Sequence, residues 1–410
     1  MTPDRKQREK ILNRVSRLVE TKYFDPQFDE SKWRSLVEER REAILGTTAP
    51  EEFEKAVHEL VSTLGTSHIA FFHRNVRPVP SRQAICATLQ QCETADGQRW
   101  MFADVQEQGP AHAVGIEPGD LLLKMNGQEI DTTKPPVFSV GEGATVSIRK
   151  KDGQEIQAAI AVPKPKSGRQ PFTLPQPVVY SKLEDGTGYL KVNMFPGLVG
   201  IDVSRDIDRA VASFQDCSRL VIDLRGNSGG GLGALRLMSY LTPDRLPVGH
   251  SVTRSRARKG YDKERLAHFG RIPAHKWELP WLALRYGFID HSIVLVTEGL
   301  GPQPFHGRIA ILVNQHSASA AEMVAAFAQE NGLATIVGTK TPGRLVGSRP
   351  FKLPDGYFLV LPVGAYLTWG GQTLEGSGIQ PGVAVELSYE SLLQGDDSQI
   401  HNAVDLVRSS

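Results

Sequence analysis

The chain of 410 residues carries 47 basic and 46 acidic side chains, with 40% apolar and 23% charged residues. This balance is typical of globular proteins, and at roughly 100–200 residues per domain the length predicts two to four domains. A net charge of +1 provides no overall positive field, which argues against a nucleic-acid-binding protein. The basic N-terminal residues precede no apolar segment of signal-peptide or membrane-spanning length, so we expect a cytoplasmic protein.

The first 80 residues are predicted to form an N-terminal helical domain. Apolar residues recur every three or four positions near the start of the chain and again in a second helix from Ser31 to Ile44. A third helix is predicted to start at Thr48, which with Glu51 has the spacing of a capping box. The domain ends in the sequence LGTSH.

The pattern changes to short strands over residues 84–163, where the dipeptide Asp152–Gly153 predicts a hairpin turn. A polar linker over 163–171 follows. Strands and helices alternate over 170–395, apart from a basic, proline-rich stretch at 242–290 that we expect to be an irregular insertion or lid. The chain is therefore predicted to be a multidomain α+β protein.

Two segments of the last domain share one design, in which an apolar strand runs into a turn and then a helix. RLVIDL leads into RGNSGGG at 225–231, and RIAILVN leads into QHSASAAE at 315–322. Free N–H groups at a helix start stabilise a developing negative charge. Each segment also has a structural interpretation, because glycines form turns and Ser317 and Ser319 are favoured helix caps. The glycine loop lacks the Lys-Ser/Thr ending of a P-loop, which argues against nucleotide binding.

A serine nucleophile needs a base and donors for the oxyanion. His68 in GTSHIAFF is a candidate base, although a lone histidine is more often a hydrogen-bonded structural residue. His316 adjoins the serines, but neighbours on a turn rarely point at each other. Glu375 in TLEGSGIQPG is a candidate acid whose alternative is a solvated loop carboxylate.

Taken in order, LRGNSGG, HSASAAE, GTKTPG and LEGSGIQPG resemble the motifs of the tricorn and C-terminal-processing serine peptidases. LGTSH resembles the family's histidine-bearing segment, and residues 109–130 resemble a PDZ domain. The resemblance covers about residues 8–390. It implies a ClpP/crotonase-like ββα peptidase core over 170–395, a PDZ-like domain over 84–163 and an N-terminal helical domain that bears the histidine.

The resemblance offers two catalytic sets. The processing branch uses a Ser–Lys dyad, but the position aligned with its lysine is Arg344, which stays protonated and cannot act as a base. Lys340 lies four residues earlier and does not align.

The tricorn branch uses a serine and a histidine with a second serine and a glutamate, and this set matches Ser319, His68, Ser67 and Glu375. The resemblance therefore implies that Ser319 attacks the scissile carbonyl and that His68 is the general base. It also implies that Glu375 acts on the imidazole through Ser67.

The oxyanion is predicted to bind the backbone N–H groups of Gly229, Gly230 and Ala320, and Ser317 is the fallback nucleophile. The leading function is a serine endopeptidase acting on peptides or proteins. The alternatives are a catalytically silent peptide- or ligand-binding relative and an esterase or acyl-transfer enzyme on the same core.

No cofactor is implied, and the three cysteines, Cys86, Cys92 and Cys217, have neither disulfide-framework nor metal-ligand spacing. The partner is predicted to be a peptide or protein substrate, with no nucleic acid and no membrane span. The sequence leaves open whether the chain forms a homo-oligomer. The PDZ-like segment is expected to add an extended peptide as a strand, and its alternative role is to brace the core.

Overall fold

The computed structural model describes residues 3–74, 78–163, 176–287, 290, 292–300, 305 and 307–409, so nearly all of the predicted 163–171 linker lies outside the described residues. The helices are α1 (Arg5–Lys22), α2 (Glu30–Leu45), α3 (Pro50–Ser62), α4 (Ser81–Ile85), α5 (Ile201–Ala212), α6 (Ala234–Ser239), α7 (Arg254–Lys259), α8 (Leu279–Tyr286), α9 (Ala320–Glu330), α10 (Tyr389–Leu393) and α11 (Ser398–Ser409). Among the described residues, every helix is too short or too polar to cross a lipid bilayer.

The strands are β1 (Ala70–His73), β2 (Pro78–Pro80), β3 (Ala87–Thr94), β4 (Gly97–Val105), β5 (Leu121–Met125), β6 (Gln128–Glu129), β7 (Val137–Ser139), β8 (Gly143–Arg149), β9 (Glu155–Ala161), β10 (Val178–Lys182), β11 (Gly188–Val192), β12 (Arg219–Asp223), β13 (Pro247–Val252), β14 (Ala267–Phe269), β15 (Ile293–Val296), β16 (Arg308–Val313), β17 (Thr335–Gly338), β18 (Val346–Lys352), β19 (Tyr357–Thr368) and β20 (Val383–Ala384). Together with the helices they make a mixed α/β fold.

A largely parallel sheet in the order β10-β11-β12-β16-β17-β20 carries the candidate site. Its strands are apolar on both faces because helices cover both. In β16, Ile311 packs toward α5, α6 and α9, whereas Leu312 packs toward α11. The carboxyl ends of parallel strands meet at one edge, so the segments that follow β12, β16 and β17 come together there.

A second sheet, β1-β19-β13-β15-β14 with β18 on β19, supports the N-terminal helices. The apolar faces of α1, α2 and α3 pack on Phe71, Tyr357 and Leu359 of β1 and β19. Ala70 pairs with Val360, and the rings of Phe71 and Tyr357 stack at 5.1 Å. The segment that bears His68 is therefore attached to the second half of the chain.

The β-rich segment forms its own sheet, β3-β4-β5-β8-β9, around its own apolar core. The predicted hairpin turn at Asp152–Gly153 joins β8 to β9, with a φ of +84° at Gly153. In the described residues between β6 and β8 the chain forms β7 and no helix. Buried Arg82 in α4 donates to the Asn193 carbonyl at 2.6 Å, which ties this unit to the core.

The prediction that residues 242–290 are irregular is wrong, because this segment supplies β13, α7, β14 and α8. Strand β13 has the sequence PVGHSV, in which glycine, histidine and serine hide the alternation of a strand. Its pairing with both β15 and β19 forms it instead. The predicted capping box is also displaced, since Glu52 rather than Glu51 accepts the Thr48 and Ala49 N–H groups.

Candidate active site

Ser319 occupies the turn between β16 and α9, as the strand–turn–helix pattern predicts. Its φ of 57° and ψ of −118° are rare for a residue with a side chain. The Ser319 N–H donates to the Arg344 carbonyl at 2.9 Å and to Glu322 Oε2 at 3.0 Å, and these contacts hold the unusual conformation. A strained serine between a strand and a helix is a typical arrangement of an exposed nucleophile.

Two backbone N–H groups are available beside this serine. In the part of the chain that the structure describes, the N–H groups of Gly230 and Ala320 donate to no protein acceptor, and both residues border the same cavity as Ser319. Ala320 also starts α9, so the positive end of the helix dipole adds to its N–H. These two groups suit a developing oxyanion.

The predicted donor role of Gly229 is not met in this structure, because its N–H donates to Asn227 Oδ1 at 2.8 Å. Gly229 has a different use. A Cβ atom at this position would lie 2.6 Å from Ser319 Cβ, so only glycine lets the loop pack against the serine. At Gly230 the loop also packs closely against the backbone of Phe195, because a Cβ atom on Gly230 would lie 2.0 Å from the Phe195 carbonyl oxygen.

His68, Ser67 and Glu375 form a chain of hydrogen bonds. Ser67 Oγ donates to Glu375 Oε2 at 2.8 Å and lies 2.8 Å from His68 Nδ1. A carboxylate only accepts, so the Ser67 proton points to Glu375 and the Ser67 oxygen accepts from His68 Nδ1–H. This assigns the tautomer with a free lone pair on Nε2, the state a general base needs.

The surroundings keep this imidazole neutral. Burial is the main cause that lowers the pKa of His68 below its ordinary value, the positive charge of Arg344 lowers it further, and the Glu375 carboxylate opposes both. A partly buried histidine with a lowered pKa holds the unprotonated form at neutral pH.

One cavity of about 480 Å³ is bordered by both His68 and Ser319. Among the described residues the two side chains make no direct hydrogen bond, as is common for catalytic pairs without a bound ligand. The walls are mainly apolar and include Leu235, Met238, Leu295, Met323 and Tyr366. In the described part of the chain no Asp, Glu, Lys or Arg side chain lines it.

Ser317 and His316 lie apart from this arrangement. The Ser317 hydroxyl is fully buried, donates to the Leu224 carbonyl at 2.8 Å and accepts the Asn314 N–H at 2.9 Å. These contacts give it a structural role rather than that of a fallback nucleophile. Burial is the main cause that lowers the pKa of His316 to about 4, and its ring contacts the backbone of Leu89 in the β-rich unit.

Glu322 is a functional candidate that the sequence analysis missed. This fully buried carboxylate accepts the Ser319 N–H, the Thr341 hydroxyl at 2.7 Å, the Gly343 N–H at 2.7 Å and the Arg344 N–H at 2.8 Å. Its place in the first turn of α9, three residues after Ser319, was the available signal, because that is the position that reaches back in a capping box.

Two carboxylates thus hold the segment 341–345 from its two ends. Glu322 accepts hydrogen bonds from residues 341, 343 and 344 of this segment. Glu375 accepts the Leu345 N–H at 2.9 Å as well as the Ser67 N–H at 2.6 Å. The segment therefore positions the nucleophile side of the cavity relative to the histidine side.

Residues 186–385 match the model of peptidase family S41. The matched segment belongs to this family, and the protein is a serine-type peptidase. The strand–turn–helix with Ser319 lies inside the matched segment.

The similarity to curated relatives extends beyond the matched region. The chain is 26% identical over 417 residues to a carboxyl-terminal-processing protease of Picosynechococcus sp., covering 97% of this chain and 88% of the relative. It is 22% identical to tricorn protease homolog 1 of Streptomyces coelicolor, covering 97% of this chain and 34% of that protein. Among solved structures, a photosystem II D1 C-terminal processing protease has the same fold, with a TM-score of 0.54, 16% identity and coverage of 94% and 96% of the two chains.

Glu322→Gln is expected to lower the free energy of unfolding of this S41 peptidase by about 2–4 kcal/mol, because an amide NH₂ group would face buried N–H donors. It should also lower kcat by releasing the segment 341–345. Urea unfolding and kinetics on the folded variant would measure both effects. Glu330→Gln makes the same change at the exposed end of α9 and should alter stability by less than about 0.5 kcal/mol. Equal effects of the two variants would contradict the role of Glu322.

The pH dependence of kcat/KM should have its acid limb below the ordinary histidine pKa of about 6.5, since the base must be unprotonated and its pKa is lowered. Arg344→Gln removes a positive charge that lowers this pKa, so the limb should move to higher pH. Glu375→Gln removes a negative charge that raises it, so the limb should move to lower pH while the maximal rate falls.

Initial-rate profiles at constant ionic strength would measure these shifts. The Arg344 effect should shrink in high salt because its side chain is exposed. Shifts of the same sign in both variants would rule out His68 as the titrating base.

Proposed function

We propose that the protein is a serine endopeptidase that hydrolyses peptide bonds through an acyl-enzyme on Ser319, with His68 as general base. The observation that carries the proposal is the cavity on which three features open together. They are a serine in a strained strand–helix turn, two unused backbone N–H groups and an imidazole oriented through Ser67 by a carboxylate.

In the acylation step Ser319 Oγ attacks the carbonyl carbon of the scissile bond, and His68 Nε2 takes the hydroxyl proton. The carbonyl oxygen becomes an oxyanion, which the N–H groups of Gly230 and Ala320 stabilise. The C–N bond then breaks, His68 gives its proton to the leaving amine, and the acyl group stays on Ser319.

In the deacylation step a water molecule gives a proton to His68 and attacks the ester carbon. The bond to Ser319 Oγ breaks, the serine regains a proton from His68, and the carboxylic acid product leaves. Ser67 and Glu375 are positioning residues in both steps, because the negative charge of Glu375 stabilises the imidazolium through the Ser67 hydroxyl.

The shape and lining of the cavity support a preference for a large apolar side chain next to the scissile bond. Its volume of about 480 Å³ accommodates a Leu, Met or Phe side chain, and its walls carry Leu235, Met238 and Met323. A charged side chain would lose its hydration there without gaining a partner.

Within the family we assign the chain to the tricorn-like catalytic branch. The processing branch would need a lysine where this chain has Arg344, whose backbone binds Ser319 and Glu322 and whose side chain is exposed. Lys340 is also exposed. A guanidinium cannot accept the proton of the serine.

We assign the PDZ-like fold to residues 84–163, the N-terminal helical domain to 1–80 and the ClpP/crotonase-like core to 170–395. The lack of a helix among the described residues between β6 and β8 favours a bracing role over peptide capture. Arg82 on Asn193 and a 2.6 Å ion pair from Asp104 to Lys191 are the contacts that brace the core. A cytoplasmic location and a homo-oligomer stay predictions.

A fluorophosphonate probe and a peptide library test the proposal together. The probe should label Ser319, located by tandem mass spectrometry, and the library should be cut inside its peptides after apolar residues. Absence of labelling and of cleavage would favour a silent binding protein. Labelling with turnover of thioesters or esters and no peptide cleavage would favour an acyl-transfer enzyme.

A further inference from the structure

We infer that Arg344 binds a carboxylate of the substrate at the rim of the catalytic cavity and so makes the peptidase selective for peptides with a negative charge near the scissile bond. The inference rests on the proposed function, since it names the substrate class of the same site. The shared chemistry is a carboxylate, which a C-terminus or an Asp or Glu side chain can supply.

The backbone of Arg344 is fixed next to the reacting groups. Its carbonyl accepts the Ser319 N–H at 2.9 Å, and its N–H donates to Glu322 Oε2 at 2.8 Å. The next residue, Leu345, donates to Glu375 and lines the cavity. Arg344 does not itself line the cavity, but its side chain starts next to the lining residue Leu345 and from a backbone that binds the Ser319 N–H.

The guanidinium of Arg344 is exposed and makes no hydrogen bond or ion pair within the described structure. Two carboxylates of this framework, Glu322 and Glu375, are already occupied by backbone and hydroxyl donors. Burial is the main cause that lowers the pKa of His68, and the positive charge of Arg344 lowers it further, so this charge acts on the site. A free guanidinium offers a planar fork of donors that matches a carboxylate.

The walls of the cavity do not by themselves provide a charge that could recognise a carboxylate. Among the described residues its walls hold no charged residue apart from the ionisable imidazole of His68, so they cannot distinguish an acidic peptide from its neutral analogue. Arg344 at the rim supplies that distinction while the apolar walls bind the neighbouring side chain.

Matched peptides would test the inference. One pair differs only in a free or an amidated C-terminus, and a second set carries Glu or Gln at each position around the scissile bond. For the wild-type protein we expect kcat/KM for the charged member to exceed that for the neutral one by about tenfold, in line with a charge-assisted hydrogen bond at an exposed site. Loss of the preference on amidation identifies the C-terminus as the source, and dependence on an internal Glu identifies a side chain.

Arg344→Gln should reduce this ratio to about one, and the charge-preserving Arg344→Lys should keep part of it. Equal rates for charged and neutral peptides in the wild type, or an unchanged ratio in Arg344→Gln, would overturn the inference.

Measurements of binding affinity distinguish failure of the inference about Arg344 from failure of the proposed function. The affinities of Ser319→Ala and of Ser319→Ala/Arg344→Gln for the same peptide pairs, measured by fluorescence anisotropy, do not depend on turnover. A preference for the charged peptides that disappears with Arg344→Gln supports the inference even if the wild type cleaves nothing, and the absence of any preference refutes it even if cleavage is efficient.

Discussion

Ser319→Ala is expected to lower kcat by a factor of roughly 10⁵–10⁶, since it removes the hydroxyl that forms the acyl-enzyme in the proposed mechanism. Labelling by a fluorophosphonate should disappear with the activity, whereas the melting temperature should change little. Intact-mass spectrometry for labelling and a continuous peptide assay for turnover would measure the two effects.

The control is Ser317→Ala, which removes a serine two residues away whose hydroxyl is buried and bound to Leu224 and Asn314. We expect this variant to lose about 1–3 kcal/mol of stability and to keep the fluorophosphonate label. Labelling that survives in Ser319→Ala and disappears in Ser317→Ala would reverse the assignment of the nucleophile.

His68→Ala is expected to lower kcat/KM by about 10⁴-fold or more, because Ser319 would lose its general base while the oxyanion donors stay in place. The substitution removes a ring that is hydrogen-bonded to Ser67, so circular dichroism and thermal unfolding should accompany the kinetics. The residual rate should no longer show the acid limb that the imidazole produces.

Lys340→Ala is the matched control for a lysine-based mechanism. Its side chain is exposed and lies outside the cavity lining, so kcat/KM should stay within about twofold of the wild type. A large loss in Lys340→Ala together with near-normal activity in His68→Ala would replace the histidine mechanism by a Ser–Lys dyad.

The two carboxylates explain how the proposed active site can contain an arginine at the position that aligns with the lysine of the processing branch it resembles. Glu322 and Glu375 hold the segment 341–345 through its backbone N–H groups, so the segment keeps its shape whatever side chain follows Gly343. The position then contributes through its backbone and through a charge at the rim. In the proposed mechanism proton transfer belongs to His68.

Local patterns predicted the elements that carry the site. Apolar periodicity predicted α1 and α2, since the buried face of a helix consists of residues three and four apart in the sequence. The two strand–turn–helix segments also predicted the turns at Gly230 and Ser319, because the order of an apolar strand, a turn and a helix is visible in the local sequence. The set of Ser67, His68 and Glu375 came from resemblance to a family, because nothing local distinguishes Glu375 from a solvated loop residue.

Interpretations failed where a distant group decides what a residue does. The segment of β13 contains no clear strand pattern and becomes a strand through its neighbours β15 and β19. Of the two serines interpreted as helix caps, only Ser319 precedes α9, because Ser317 and Ala318 belong to the turn that binds Leu224 and Asn227.

The amino-acid order alone indicated the strands and helices outside residues 242–290, the turn that bears Ser319 and the absence of a usable base at Arg344. Folding decided that Gly229 N–H is consumed by Asn227, that Glu322 is the anchor of the segment 341–345, and that Ser67 meets a carboxylate 308 positions away. The physical reason is the distance along the chain over which each kind of interaction acts. Backbone preferences and periodicity act over a few neighbouring residues, whereas the partner of each buried donor or acceptor is supplied by whichever element packs against it.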